Sequence, residues 1–107
     1  MKLNYQTVIE LTQLMTDSNK EIRASWHSGS INTESLDEVI EKLNELANSK
    51  SKLADFDELK SDMEWLEEYY EEKSWKDVTK WLSNIDGTLR IAFSDYMDRV
   101  KKLGGKR

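Results

Sequence analysis

The side chains with the widest chemical repertoire in this 107-residue chain are one histidine and 21 carboxylates, and spacing decides what they can do. His27 stands in a polar stretch, His27-Ser28-Gly29-Ser30, that reads as a turn. A nucleophilic triad needs a base held by a third group at fixed geometry. A di-iron bundle needs a Glu-x-x-His on each of two helices. Neither pattern is present, so His27 is expected to be an exposed turn residue. There is no cysteine, which excludes disulfides and cysteine-ligated zinc or iron–sulfur centres. Asp86-Gly87 lacks the alternating acids of a calcium loop, and no glycine-rich phosphate loop occurs. Glu64, Glu68 and Glu71 recur at spacings of four and three, with Asp57 seven before Glu64, so they share one helical face. A general acid needs a dry pocket to raise its pKa, and a solvated carboxylate face offers none. No catalytic residue, no cofactor and no metal are expected, and the chain reads as a non-enzyme.

The charge is unevenly placed. The formal net charge is −5, which argues against direct nucleic-acid binding by phosphate neutralisation. Residues 55–72 hold nine acids against Lys60 alone, giving −8, whereas residues 73–107 hold nine bases and four acids, giving +5. The first 54 residues, with six bases and eight acids, contribute the remaining −2. The N-terminus MKLNYQTVIELTQ alternates polar and apolar residues and lacks the apolar block of a signal peptide. The longest clean apolar run is Ile91-Ala92-Phe93, far short of the roughly 18 residues of a membrane span. A cytoplasmic protein with no membrane partner is expected, although export without a signal peptide would leave no trace here.

These side chains must be positioned by helices. The chain has no proline, four glycines and 35% charged residues, and its apolar positions recur at three-four spacing. The first helix is predicted over about 4–26, with Val8, Leu11, Met15, Ile22 and Trp26 in one stripe and Ser18 at the skipped core position. Gly29 supplies the left-handed residue beyond its end. The second is predicted over 33–48, opened by a capping box of Ser35 and Glu38. The stripe then changes phase, and a break is expected at 48–55, with one kinked helix from 33 to 73 as the alternative. The third spans about 56–73, burying Phe56, Leu59, Met63, Leu66 and Tyr70. The fourth, from Ser74 as cap, runs over 75–103 with its stripe passing through Gly87; a break there would make a fifth helix. The expected fold is all-α, an antiparallel bundle of four or five amphipathic helices in a single domain of residues 1–107, with a frayed basic tail at 104–107.

Two stretches resemble known families. Trp26-His27-Ser28-Gly29, between two helices, resembles the Trp-x-Gly turn of the small helical-hairpin proteins of type VII secretion, with one residue more between Trp and Gly. Such a likeness implies a helical partner that assembles into homo- or hetero-oligomers. Leu66-Glu67-Glu68-Tyr69-Tyr70, with Trp75 beyond, resembles a Leu-x-x-Tyr-Tyr…Trp signature of an uncharacterised family of small helical proteins from Gram-positive bacteria. That family brings no activity with it.

The remaining candidate is a surface. Trp65 and Tyr69 form an i,i+4 pair beside the buried stripe of the third helix, and Trp81 flanks the stripe of the fourth. They either complete the core between these helices or stand as partly exposed anchors with an acidic surround; Trp and Tyr dominate interface hot spots. A hairpin about Ser74 would set Glu72 near Lys76 and Glu68 near Lys80, so that Lys76, Lys80 and Arg90 offset part of the acid. The sequence points to a small acidic protein that binds a basic protein partner through Trp65, Tyr69, Glu64, Glu68, Glu71 and Trp81, in the manner of an immunity protein, antitoxin or inhibitor. Self-assembly through the apolar stripes is the alternative.

Overall fold

All the apolar stripes fold as α-helices. The computed structural model describes residues 2–49 and 53–104. Four helices follow in order, α1 (Tyr5–Ser25), α2 (Glu34–Ala47), α3 (Asp57–Glu71) and α4 (Trp75–Gly104), with no strand among the described residues. Packing runs α1–α2, α2–α3, α3–α4 and α4–α1, so the helices close a four-sided ring. Cross-helix bonds show that neighbours are antiparallel. Asp37 meets Tyr70 and Asn44 meets Glu67 between α2 and α3, while Thr12 meets Asp86 and Asn19 meets Ser83 between α1 and α4. Among the described residues, no helix is long and apolar enough to cross a membrane.

The core is the set of stripe residues. Leu11, Met15, Ile22, Leu36, Leu43, Leu46, Leu59, Leu66, Leu82, Ile85 and Leu89 are all fully buried. Burying a side chain of this size contributes about 1.5–3 kcal/mol, which is what holds helices this rich in charge together. Ser18 lies in the same core, with its hydroxyl buried and no hydrogen-bond partner.

The helix boundaries show which local signals operate. Asn4 caps α1, its side-chain oxygen accepting from the Thr7 N–H at 2.9 Å. The helix ends at Ser25 rather than Trp26, and Gly29 takes φ +77° in the turn beyond. The Ser35–Glu38 capping box does not form. The cap of α2 lies two residues earlier, at Thr33, and the Ser35 hydroxyl donates instead to Glu21 Oε1 on α1 at 3.2 Å. Asn32 supplies the nearby acceptor for the Glu34 N–H. The break between α2 and α3 is real, although residues 50–52 lie outside the described residues. Asp55 opens α3 by accepting from the Asp57 N–H at 3.0 Å. At the head of α4 the Ser74 carbonyl accepts from the Val78 N–H, and its hydroxyl bonds Asp77 at 2.6 Å.

α4 is continuous through Gly87, so the described residues form four helices and not five. Its 30 residues span about 45 Å at 1.5 Å each, outrunning the 15-residue α3. Near its far end Arg99 donates to the Leu53 carbonyl at 2.7 Å, tying α4 to the connection before α3. The predicted tail begins at Gly104, still helical; 105–107 lie outside the described residues. Gly87 is exposed, and a Cβ there would touch nothing within 4 Å. Gly87→Ala is therefore expected to stabilise the protein by about 0.5–1 kcal/mol, because glycine in a helix interior carries that entropic penalty. Urea unfolding checks it; an unchanged midpoint refutes it.

The α3–α4 turn holds the one backbone irregularity among the described non-glycine residues. Lys73 sits at φ +58°. Its N–H bonds the Tyr70 carbonyl and the Ser74 N–H bonds the Tyr69 carbonyl, the two bonds of a Schellman motif, whose left-handed position is usually glycine. A side chain there costs about 1–2 kcal/mol of strain, while glycine would loosen the unfolded chain by about 0.4–1 kcal/mol. Strain is the larger effect, so Lys73→Gly is expected to stabilise by roughly 0.5–1 kcal/mol, visible as a rise of a few degrees in Tm.

Candidate functional site

The α3–α4 seam is built around a buried carboxylate. Asp62 is 7% exposed and accepts two bonds from α4, from Thr88 Oγ1 at 2.7 Å and Asn84 Nδ2 at 3.1 Å. Asn84 and Thr88 lie four apart on α4, so one carboxylate spans a full turn of its neighbour and fixes the register of the two helices. One turn along from Asp62, that register brings Trp65 against Trp81.

The result is an aromatic array running across both helices. The Trp65 and Trp81 rings stack with centroids 6.1 Å apart and planes 14° apart, and Trp65 also stacks on Tyr69 at 6.1 Å and 26°. Tyr69 and Trp81 are half-buried and pack against the core. Trp65, between them, is 46% exposed. The two readings of these aromatics therefore divide by residue: Tyr69 and Trp81 finish the core, and Trp65 presents a braced ring to solvent.

Glu64 and Glu68 are exposed on the outer face of α3 beside Trp65. Glu71 is exposed as well, two turns beyond Glu64 on α3. It lines a groove of about 540 Å³ between α2 and α3 with Asp37, Ile40, Glu67, Tyr70 and Lys73. The structure thus brings Trp65, Tyr69 and Trp81 into one array, with Glu64 and Glu68 exposed within one turn of Trp65 on α3 and Glu71 farther along the same helix, where it borders the α2–α3 groove. Toward the other end of the seam, Ile91 is 63% exposed and borders a small hollow with Asp55, Glu58 and Asp95. The expected internal neutralisation does not form as ion pairs. Among the described residues, Lys76 and Lys80 reach no carboxylate of α3, and Arg90 pairs at 3.3 Å with Asp86 on its own helix. Thr88 and Asn84 occupy the seam instead, so neutral donors meet the buried acid and the bases point outward.

Asp62 and Ile91 were missed in the sequence. Asp62 follows Leu59 by three and precedes Leu66 by four, which is the core spacing, and its signal is the polar pair Asn84 and Thr88 at four-residue spacing on the facing helix. Ile91 sits one residue off the core stripe next to Ala92, and that offset, about 100° round the helix, is the signal of its exposure.

Across the bundle, the Tyr70 hydroxyl donates to Asp37 Oδ1 at 2.5 Å. Burial raises the Tyr70 phenol above its ordinary value near 10, and the bond to Asp37 raises it further. The folded state then holds this proton after the unfolded chain has lost it. The resulting stability is complete below pH 10 and is lost as pH rises through the folded value. Between pH 9 and 11, Tm should fall more steeply in the natural protein than in Tyr70→Phe; parallel profiles refute this.

Among the described residues, no three His, Cys, Asp or Glu side chains are grouped to hold a metal ion. His27 is exposed and accepts a hydrogen bond from the Trp26 indole N–H. Compared with protein-family models, curated proteins and solved structures, the chain matches none of them.

Proposed function

We propose that the protein is a non-enzymatic binding module that docks a basic protein partner on the outer face of α3 and α4. One observation carries this reading. Trp65 is a half-exposed ring stacked between two others, with Glu64 and Glu68 beside it and no α4 base paired to them. A braced aromatic loses little conformational freedom when covered, which suits it to anchor an interface. The free carboxylates speed encounter with a positively charged surface and select for it. From Trp81 to Ile91 the acid-flanked seam covers about 15 Å of helix, enough to receive a short basic helix or loop. Immunity proteins, antitoxins and inhibitors of nucleic-acid enzymes work on this plan.

The test begins with capture on the natural protein and on Trp65→Ala, followed by titration of any retained protein in purified form. The expected partner is basic, binds more weakly as salt rises, and loses at least tenfold in affinity to Trp65→Ala and to the double change Glu64→Lys, Glu68→Lys. Glu71→Lys should have the smaller effect. Equal affinity for all variants sinks the proposal.

Self-association is the second reading, supported by a separate observation. Tyr5 and Ile9 are exposed large apolar residues that line a groove of about 400 Å³ with Phe93, and Met97 one turn further along α4 is exposed too. Light scattering decides it: a concentration-dependent dimer broken by Ile9→Lys favours assembly, and a monomer at high concentration removes it.

A further inference from the structure

At the opposite end of the aromatic inventory, the α1–α2 and α3–α4 turns come together. Trp26, Ile31, Thr33, Tyr70, Lys73 and Trp75 surround a cavity of about 370 Å³. A second, of about 320 Å³, adjoins it across Trp26 and Trp75 and is lined also by His27 and Lys76. We propose that this turn end binds a small planar aromatic anion, its ring against Trp26 and Trp75 and its charged group at Lys73.

Three features select that chemistry. The first is shape and surface. The larger cavity falls in the size range of small-molecule sites, and two indoles and a phenol supply flat walls suited to stacking. Tyr70 and Trp75 already pack on each other, centroids 5.7 Å apart and planes 51° apart. The second is the sign of the charge. Two helices begin at this end and two finish there, so their dipoles largely offset one another, and the side chains decide. Lys73 is the charged residue lining the larger cavity, His27 and Lys76 border the smaller, and no carboxylate lines either. The acids Asp37, Glu67 and Glu71 line the neighbouring groove, which Lys73 and Tyr70 also border, so Lys73 stands between the two hollows. The Asp37 carboxylate is engaged by the Tyr70 and Thr33 hydroxyls.

The third feature is Lys73 itself. It occupies the left-handed position of the Schellman turn that glycine would fill with less strain. Strained residues concentrate at ligand sites, where the side chain does something the backbone alone cannot. This one adds a basic side chain to the cavity lining, and a charge-assisted bond to an anion is among the stronger polar contacts available.

The test uses the full chain and two probes of one shape and opposite charge, indole-3-acetate and tryptamine, titrated calorimetrically at low salt. Saturable binding of indole-3-acetate, with tryptamine at least tenfold weaker, is expected. Lys73→Gly should weaken indole-3-acetate by about tenfold or more while raising Tm, which separates loss of the site from loss of the fold. Lys73→Asn tolerates the same backbone and repeats the measurement if the glycine variant is poorly behaved. Trp65→Ala, on the other face, should leave binding unchanged. The proposal is overturned by any one of four results. These are no saturation below about 10 mM, equal affinity for tryptamine, full affinity in both Lys73 variants, or loss of binding in Trp65→Ala.

Discussion

Leu66→Ala is expected to lower the free energy of unfolding by about 3–4 kcal/mol, while Trp65→Ala, one residue away, lowers it less, by about 2 kcal/mol. Size alone would order these the other way. Leu66 is fully buried on the inner face of α3, so removing it leaves a cavity that the four helices cannot close, and such changes cost about 2–5 kcal/mol. Nearly half of Trp65 is already in water. Its removal forfeits only the covered half of the ring and its stacking on Trp81 and Tyr69, each aromatic pair being worth about 0.5–1.5 kcal/mol. Small domains have about 5–15 kcal/mol in total, so Leu66→Ala should also shift the urea midpoint markedly. Equal losses in the two variants would make Trp65 a core residue and remove the anchor from the proposed interface.

The second large effect is expected at Asp62, where alanine should cost about 2 kcal/mol. A hydrogen bond to a charged group contributes about 1.5–3 kcal/mol, and Asp62 accepts two. Two effects reduce the sum. Asn84 is exposed and recovers a water partner, and alanine is the better helix former by roughly 0.5 kcal/mol. Thr88 is half-buried and pays more for the missing acceptor. The double variant Asp62→Ala, Thr88→Val should therefore lose less than the two single variants added together, since the second change removes an unsatisfied donor. Strict additivity would show that Asp62 acts through something other than Thr88. A change in tryptophan emission in Asp62→Ala, with Trp65 and Trp81 one turn away, is the accompanying signature.

Most of the fold was legible because each helix states its inner face several times over. Leu36, Val39 and Leu43 on α2, or Val78, Leu82, Ile85 and Leu89 on α4, give the same answer at every turn, and one polar residue such as Ser18 does not disturb it. Boundaries were less legible because polar side chains have competing partners. Ser35 fits a cap in sequence, yet its hydroxyl reaches Glu21 on a helix fourteen residues away. The candidate site was half legible for the same reason. That Trp65 and Tyr69 are neighbours follows from helical spacing alone. That Trp81 stacks on Trp65 and that Lys76 and Lys80 leave the α3 acids unpaired both depend on the rotation of one helix about its axis relative to the next. Asp62 sets that rotation through two neutral side chains, and a charge count along the chain does not register them.

The ring of helices has a consequence for how the molecule comes together. Three of its four seams join helices consecutive in the chain, and only α4–α1 joins its two ends. Hairpins of this kind close short loops, and proteins dominated by such contacts fold within microseconds to milliseconds. That last seam includes two polar bridges, Thr12 to Asp86 and a long contact from Asn19 to Ser83, beside the unpartnered Ser18 hydroxyl. In native-state hydrogen exchange, α1 is accordingly expected to open as a unit before the α3–α4 hairpin does, so that the face carrying Trp65 outlasts the first helix as the protein begins to unfold.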